Sequence, residues 1–417
     1  MHTTSNRRFT PKIICLIGSC SVSTGLFFGH FPALMSVGAV LIFGAGLLKR
    51  NPKAFFQNRF ALFTGLLFAM NLFNGFWCDD TQGWLNISFR KISLLLIPFG
   101  LACCPITNAR HRLWIYSSFL LSAFAVTLAT LINYFIHKAE YDHDLIVSKQ
   151  IPVPTGIMHI QFAVLIAFAV LLCFVIWQKS RMGQKHQIPQ LYSSIFPLLG
   201  LFLLVSLHIL CSRTGWAAFY AGVLVLLVQY LLQERKWLTG LIALAASIIL
   251  PVAAYNFSGS FKNRLDNTTE DIGRYFRGEY HGYYSVSMRF DAWKCCWEVS
   301  KQHPLSGVGC ADVKKEMLAT YPKLGMNETQ YVYEAHNQFL QELVAKGIIG
   351  LLLLLTGLFV LLSNVGRSKL QLAFVAVIIA SFLFENMLEH QAGLAFYALL
   401  GMLVLGEQFS QSGETPD

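Results

Sequence analysis

Long apolar runs, each close to bilayer thickness, divide this chain and leave it few ways to fold. A hydrocarbon core about 30 Å thick is crossed by a helix of roughly 20 residues. Twelve segments fit that window, near residues 13–29, 32–48, 60–77, 92–106, 113–136, 157–177, 193–211, 214–232, 237–255, 347–365, 370–384 and 392–406. They are continuously apolar rather than alternating, which excludes an outer-membrane barrel. The expected fold is all-α: a polytopic membrane protein of twelve transmembrane helices. Composition agrees, since 13% of residues are charged where a soluble domain carries about 25%. A soluble enzyme, a disordered chain and a secreted disulfide scaffold are thereby excluded. The first segment follows Arg7, Arg8 and Lys12 with no small-residue cleavage site behind it. It is expected to be a retained helix rather than a signal peptide.

Cytoplasmic connections of a membrane protein are enriched in Lys and Arg. With the N-terminus inside and the helices alternating, sixteen of the 32 Lys and Arg fall in inner connections and five in short outer loops. The other eleven lie in one long outer segment, 256–346, where eleven acidic residues balance them. The net charge of +10 therefore comes from the inner side, and nucleic acid is not the partner that the basic balance implies. Both termini are expected on the cytoplasmic side of the membrane.

The expected organisation is 1–255 with helices one to nine, 256–346 as a periplasmic loop region of short helices carrying site residues, and 347–417 with helices ten to twelve and a short tail. In the loop, the stretch from Ser285 to Glu298 suits an amphipathic helix, and His303-Pro-Leu-Ser-Gly-Val-Gly309 is a breaker-rich turn. His336 is expected near the start of a helix at the outer membrane surface. Cys295, Cys296 and Cys310 lack metal-ligand spacing, so zinc is not expected. A Cys310 disulfide has no sequence support.

Ionisable residues at membrane depth point by default to a functional site. Arg213 lies in Cys-Ser-Arg-Thr-Gly-Trp between two apolar runs. One reading is an interfacial side chain reaching headgroups; the other is an anion ligand, with Ser212, Thr214 and Gly215 supplying hydroxyls and backbone freedom. Arg90 and Lys91, at the outer end of the fourth span, are anchors or line the same cavity. His159 is a satisfied core histidine or part of the site. Glu385, Glu389 and His390 share the last outer connection, as a solvated loop or as part of a functional site.

Cations gathered on the outer face near a histidine suit a lipid-linked diphosphate. Arginine matches phosphate oxygens in pairs and stays charged when partly desolvated. Cations that neutralise a departing diphosphate lower the barrier, and a neutral imidazole can take the proton of an attacking hydroxyl. No acidic cluster with metal-ligand spacing appears in the loop, so the expected reaction uses neither metal nor cofactor.

At these residues the chain resembles the O-antigen ligase and polymerase family of bacterial envelope glycosyltransferases. Three segments carry the resemblance: Ser212-Arg213-Thr214-Gly215 opening a span, Arg289-Phe-Asp-Ala-Trp followed by Pro304-Leu-Ser-Gly-Val-Gly309, and His336-Asn337-Gln-Phe-Leu with Lys346-Gly-Ile-Ile-Gly350 entering the next span. The resemblance implies a fold similar to C-type membrane glycosyltransferases. It also implies transfer of a glycan from undecaprenyl diphosphate to a hydroxyl acceptor, on the periplasmic face and without a metal. Arg213 and Arg289 would hold the diphosphate, and His336 would act as base or position the acceptor. Arg90 and Asn337 would join the substrate-binding set, and no role carries over to Glu385 or Glu389.

The chain is expected to lack the larger C-terminal periplasmic domain typical of the family's protein-glycosylating branch, which would favour a ligase acting on lipid A-core over a protein O-oligosaccharyltransferase. A polysaccharide polymerase is the alternative within the family. The rival from another class is a flippase of polyprenyl-linked glycans, which should show repeat symmetry and charges on both sides of the midplane. No repeat is found.

Overall fold

The computed structural model describes residues 10–146, 150–181, 192–234, 251–256, 259–279, 286–328, 331–363 and 368–411, with isolated positions at 238, 245 and 249. Among the described residues there are helices and turns and no strand. The bundle begins with α1 (Pro11–Gly25), α2 (Ala33–Lys49), α3 (Lys53–Gln57), α4 (Arg59–Phe73), α5 (Thr81–Lys91) and α6 (Ser93–Cys103). Then come α7 (Ala109–Ile136), α8 (Lys138–Ile146), α9 (His159–Arg181), α10 (Tyr192–Ile209) and α11 (Arg213–Glu234). The connecting helices are α12 (Gly259–Arg277), α13 (Ser287–Gln302) and α14 (Val313–Thr320). The chain re-enters the bundle with α15 (Gln338–Ser363), α16 (Lys369–Phe384) and α17 (Gln391–Gln411).

Among the described residues, six stretches are long and apolar enough to cross a membrane, including Ala109–Ile136, His159–Arg181 and Gln338–Ser363. Four shorter apolar helices accompany them, among them Ala33–Lys49 and Lys369–Phe384. The protein is an all-α polytopic membrane protein. Eleven of the twelve expected segments contain a helix; the ninth, 237–255, lies largely outside the described residues.

Helix α9 is apolar all round, and 89% of its most hydrophobic window is buried, the pattern of a helix surrounded by others. It packs against α10, α11 and α16. Phe168 at its middle meets Phe374 and Phe396 edge-on, with ring centroids 5.6 and 5.5 Å apart, a favoured aromatic geometry. Close approach elsewhere uses small residues, as membrane helices do. A Cβ on Gly18 would overlap the Gly38 carbonyl between α1 and α2, and one on Gly100 would overlap Ile42 between α6 and α2.

Contacts between helix ends fit alternating crossings. On the basic side, Arg112 donates to the Gly406 carbonyl (3.1 Å) and Lys369 to Gln178 Oε1 (3.0 Å). On the opposite side, His30 N donates to the Thr155 carbonyl (2.9 Å) and Gln391 Nε2 to Ser36 Oγ (3.0 Å).

One expectation needs correction. Helices α5 and α6 run on as one apolar stretch from Thr81 to Cys103, so Arg90 and Lys91 do not sit in a loop before the fourth span. Lys91 is buried and pairs with Glu389 at 2.5 Å, while Arg90 is exposed and donates to the Glu389 carbonyl at 3.0 Å. Glu389 therefore belongs to a buried ion pair rather than a solvated loop. As expected from the sequence, His336 stands just before a helix: the tenth span begins at Gln338, nine residues before its apolar run, because its polar residues satisfy one another. Lys346 Nζ lies 2.6 Å from Glu342 Oε2, and Gln338 Nε2 donates to Glu342 Oε1 at 3.2 Å.

Helix α15 breaks at Gly347, where φ is 64° and ψ −164°. The turn 304–309 lies against that break. Val308 N and Gly309 N donate to the carbonyls of Val344 (2.9 Å) and Ala345 (3.0 Å), and Ile348 N donates to the Pro304 carbonyl (2.9 Å). A Cβ on Gly347 would overlap the Leu305 carbonyl, and one on Gly307 the backbone of Ala345. Above this seam a second apolar cluster, with Cys295, Cys296, Met317, Tyr321 and Val344 fully buried, consolidates the cap.

Candidate active site

The site lies where α11, α12, α13 and the entrance to α15 meet. Cys211 has φ of 51° and turns the chain tightly from α10 into α11, leaving Arg213 as the first helical residue. Gly215 sits against Ala163 of α9, so α11 can approach closely enough to hold Arg213 over the bundle. Arg213 Nη1 donates to Thr268 Oγ1 on α12 at 2.8 Å, and Thr268 Oγ1 donates to the Arg264 carbonyl at 2.6 Å.

Arg264 was not singled out from the sequence, yet it is only 4% exposed. Arg213 lies within electrostatic reach of Arg264, Arg289 and Asp271. Three guanidinium groups from α11, α12 and α13 thus share one neighbourhood. Burial holds Arg264 and Arg289 below the usual guanidinium range, with Arg289 adding to the effect on Arg264. Asp271 is the buried counter-charge. Its carboxylate accepts the backbone N–H of Val286 (2.9 Å) and of Ser287 (3.3 Å), and the Ser287 hydroxyl. It thereby caps α13 from α12 and orients the turn that presents Arg289.

The histidine enters from the other side. His336 has φ of 45°, a left-handed conformation costly for a side-chain-bearing residue and retained at functional sites. Its Nδ1 lies 3.4 Å from Glu385 Oε1. Burial pushes the Glu385 carboxyl up, but contact with His336 and the charges of Arg289 and His390 outweigh it and hold the carboxyl below its ordinary value. Glu385 therefore links His336 to Arg289 electrostatically. His159, at the start of α9, lies within reach of Glu385, Arg264 and Arg289.

Asn337 is used by the fold. Its side-chain oxygen accepts from Leu340 N (3.0 Å), capping α15, and its amide donates to the Leu383 carbonyl (3.2 Å). Its backbone N–H donates to Asn386 Oδ1 at 2.9 Å. Arg90 faces Glu389, on the Lys91 side of the last connection, rather than the three arginines. Arg213, Arg289 and His336 are brought together; Arg90 is not.

Glu334, Glu385 and His390 place one potential metal-ligand atom each within 4.8 Å of one another. Glu385 Oε2 and His390 Nε2 are buried without a hydrogen-bond partner among the described residues. Cys295 and Cys310, both in the cap, are free, and burial pushes both thiols up to about 12, which disfavours the nucleophilic thiolate there.

Residues 198–355 match the O-antigen ligase family. The matched segment spans Arg213, Arg264, Arg289 and His336, whereas Glu385 and His390 lie beyond it. A curated relative is an uncharacterised protein of Haemophilus influenzae, 25% identical over 224 residues that cover 50% of this chain and 55% of that protein. The chain therefore spans about half the length of that relative.

Proposed function

We propose that this protein is an O-antigen ligase. It takes a glycan from undecaprenyl diphosphate and joins it to a hydroxyl of lipid A-core, on the periplasmic face of the bacterial inner membrane. The observation that carries the reading is the convergence of Arg213, Arg264 and Arg289 beside a His336–Glu385 pair.

The chemistry follows from that arrangement. The diphosphate is held by the three arginines, which neutralise charge as it develops on the departing oxygen. Glu385 next to Nδ1 favours a proton there, so that Nε2 carries the lone pair. Nε2 takes the acceptor hydroxyl's proton as its oxygen bonds to the anomeric carbon and the bond from that carbon to the diphosphate breaks. One displacement inverts the anomeric configuration. Asn337 contributes by positioning His336, whereas Arg90, which faces Glu389, is left out of the proposed substrate-binding set. The reaction is proposed to run without a metal, with Glu385 serving His336.

A polymerase uses the same donor chemistry with a second carrier-linked glycan as acceptor, so the acceptor decides between the two. The test is transfer by purified protein with a defined carrier-linked glycan, offered lipid A-core, a second carrier-linked unit or a protein hydroxyl. Transfer to lipid A-core is expected, with losses of about 10²-fold or more in Arg213→Gln, Arg264→Gln, Arg289→Gln and His336→Ala, the scale seen when a transition-state charge loses its partner. Chelator should leave the rate unchanged. Transfer that survives all four substitutions sinks the site; chelator-sensitive transfer sinks the metal-free mechanism and turns attention to Glu334, Glu385 and His390. If the variants in cells leave carrier-linked glycan in the cytoplasmic leaflet, the protein is a flippase.

A further inference from the structure

On the opposite side of the bundle from the arginines lies a cavity of about 700 Å³. Helices α10 and α11 both pack on α9 but barely touch each other, and the cavity occupies the wedge between them. Its walls are apolar, with Leu171, Val223 and Leu227 contributing, and it ends at Arg181 and Lys369. Among the described residues, no Asp or Glu lines it.

Its dimensions and its charge point the same way. From Leu171 to Arg181 is ten residues, about 15 Å of helix, which is one leaflet of a hydrocarbon core roughly 30 Å thick. The Arg181 guanidinium lies 5.5 Å from the centre of the Trp177 ring, and Lys369 Nζ donates to Gln178 Oε1 at 3.0 Å. These contacts hold both cations at the mouth, and an ammonium with three donors keeps two for another ligand. Trp177 and Tyr230 also line the mouth, at the depth where aromatic side chains mark the interface. Basic pockets between membrane helices on the cytoplasmic side suit anionic headgroups.

We propose that this cavity binds an anionic phospholipid of the cytoplasmic leaflet, one acyl chain lying along α9 and α11 and the phosphate held by Arg181 and Lys369. This site is separate from the arginine–histidine site and does not depend on the transfer reaction. Phosphatidylglycerol and phosphatidylcholine with identical chains are added to the full-length protein in neutral detergent, and retention is read by native mass spectrometry. Phosphatidylglycerol is expected to be retained and phosphatidylcholine to be lost. The double variant Arg181→Gln/Lys369→Gln should weaken phosphatidylglycerol retention by tenfold or more, about what losing charge-assisted hydrogen bonds implies. Val223→Trp, which keeps both cations and fills the cavity, should weaken it too, so a double variant that fails to fold leaves the proposal testable. Equal retention of the two lipids overturns it, as does undiminished retention in either variant. Displacement of phosphatidylglycerol by polyprenyl phosphate, equally in wild type and double variant, would assign the cavity to the carrier's tail and likewise end the proposal.

Discussion

His336 and Glu385 are held together by chain geometry more than by a strong bond. A left-handed backbone at φ 45° aims the imidazole at a carboxylate that is 1% exposed. The Glu385 carboxyl sits below its ordinary value of 4.5 in the folded protein, so its ionised form favours folding. That contribution is present above the unfolded value and lost as pH falls through the folded one. The stability advantage of wild type over Glu385→Gln should therefore be full at neutral pH and shrink as pH drops below about 4.5. Thermal unfolding of both proteins across that range checks the sign; a gap that widens in acid would remove Glu385 from this role. Arg213 stood out in the sequence beside an apolar run, whereas Arg289 and the role of His336 came from the family resemblance. Arg264 was legible by neither route. In the sequence it is one charge among Lys262, Asp266 and Glu270 on an amphipathic helix, and only folding α12 against α11 buries it.

Among the elements, α15 combines an apolar span with a polar entrance and a break between them. Gly347 at φ 64° is the position where the turn 304–309 meets the span. Gly347→Ala should cost about 1–3 kcal/mol of stability, since a Cβ forces both a left-handed backbone and a collision with Leu305. Transfer activity should fall with it, because the break sets His336 relative to the cap. A lowered thermal midpoint together with reduced transfer is the expected result, and an unchanged midpoint would show that the seam carries no load. Hydropathy alone found the apolar part of α15; the expected helix start near His336 supplied its first nine residues, but not their burial. Gln338, Glu342 and Lys346 look like loop residues to a hydropathy window, yet they are buried as an internal ion pair with its own hydrogen bonds. The same blindness put Lys91 in a loop, when its partner Glu389 is nearly three hundred residues away in sequence.

Across the whole molecule, charge asymmetry and chain pairing describe one sidedness. The ends of α7, α9, α16 and α17 that carry Arg112, Gln178 and Lys369 contact each other on one side, while the cap and the arginine site occupy the other. Cysteines introduced as Lys53→Cys and Trp297→Cys stand on opposite sides at exposed positions. An impermeant maleimide added outside spheroplasts should modify the Trp297→Cys protein at once and the Lys53→Cys protein only after permeabilisation; the reverse pattern would invert the orientation. This sidedness was legible because the positive-inside bias needs no knowledge of packing. The meeting of the cap with the bundle was not, because it depends on pairings between α12, α13 and the last connection that no local pattern encodes. The junction of cap and span has an evolutionary consequence. Since main-chain amides and carbonyls of Pro304, Val308, Gly309, Val344, Ala345 and Ile348 form it, the joint itself is indifferent to side-chain identity except at Gly307 and Gly347, where a Cβ has no room. Exposed positions of the cap can thus change without loosening the joint that carries it.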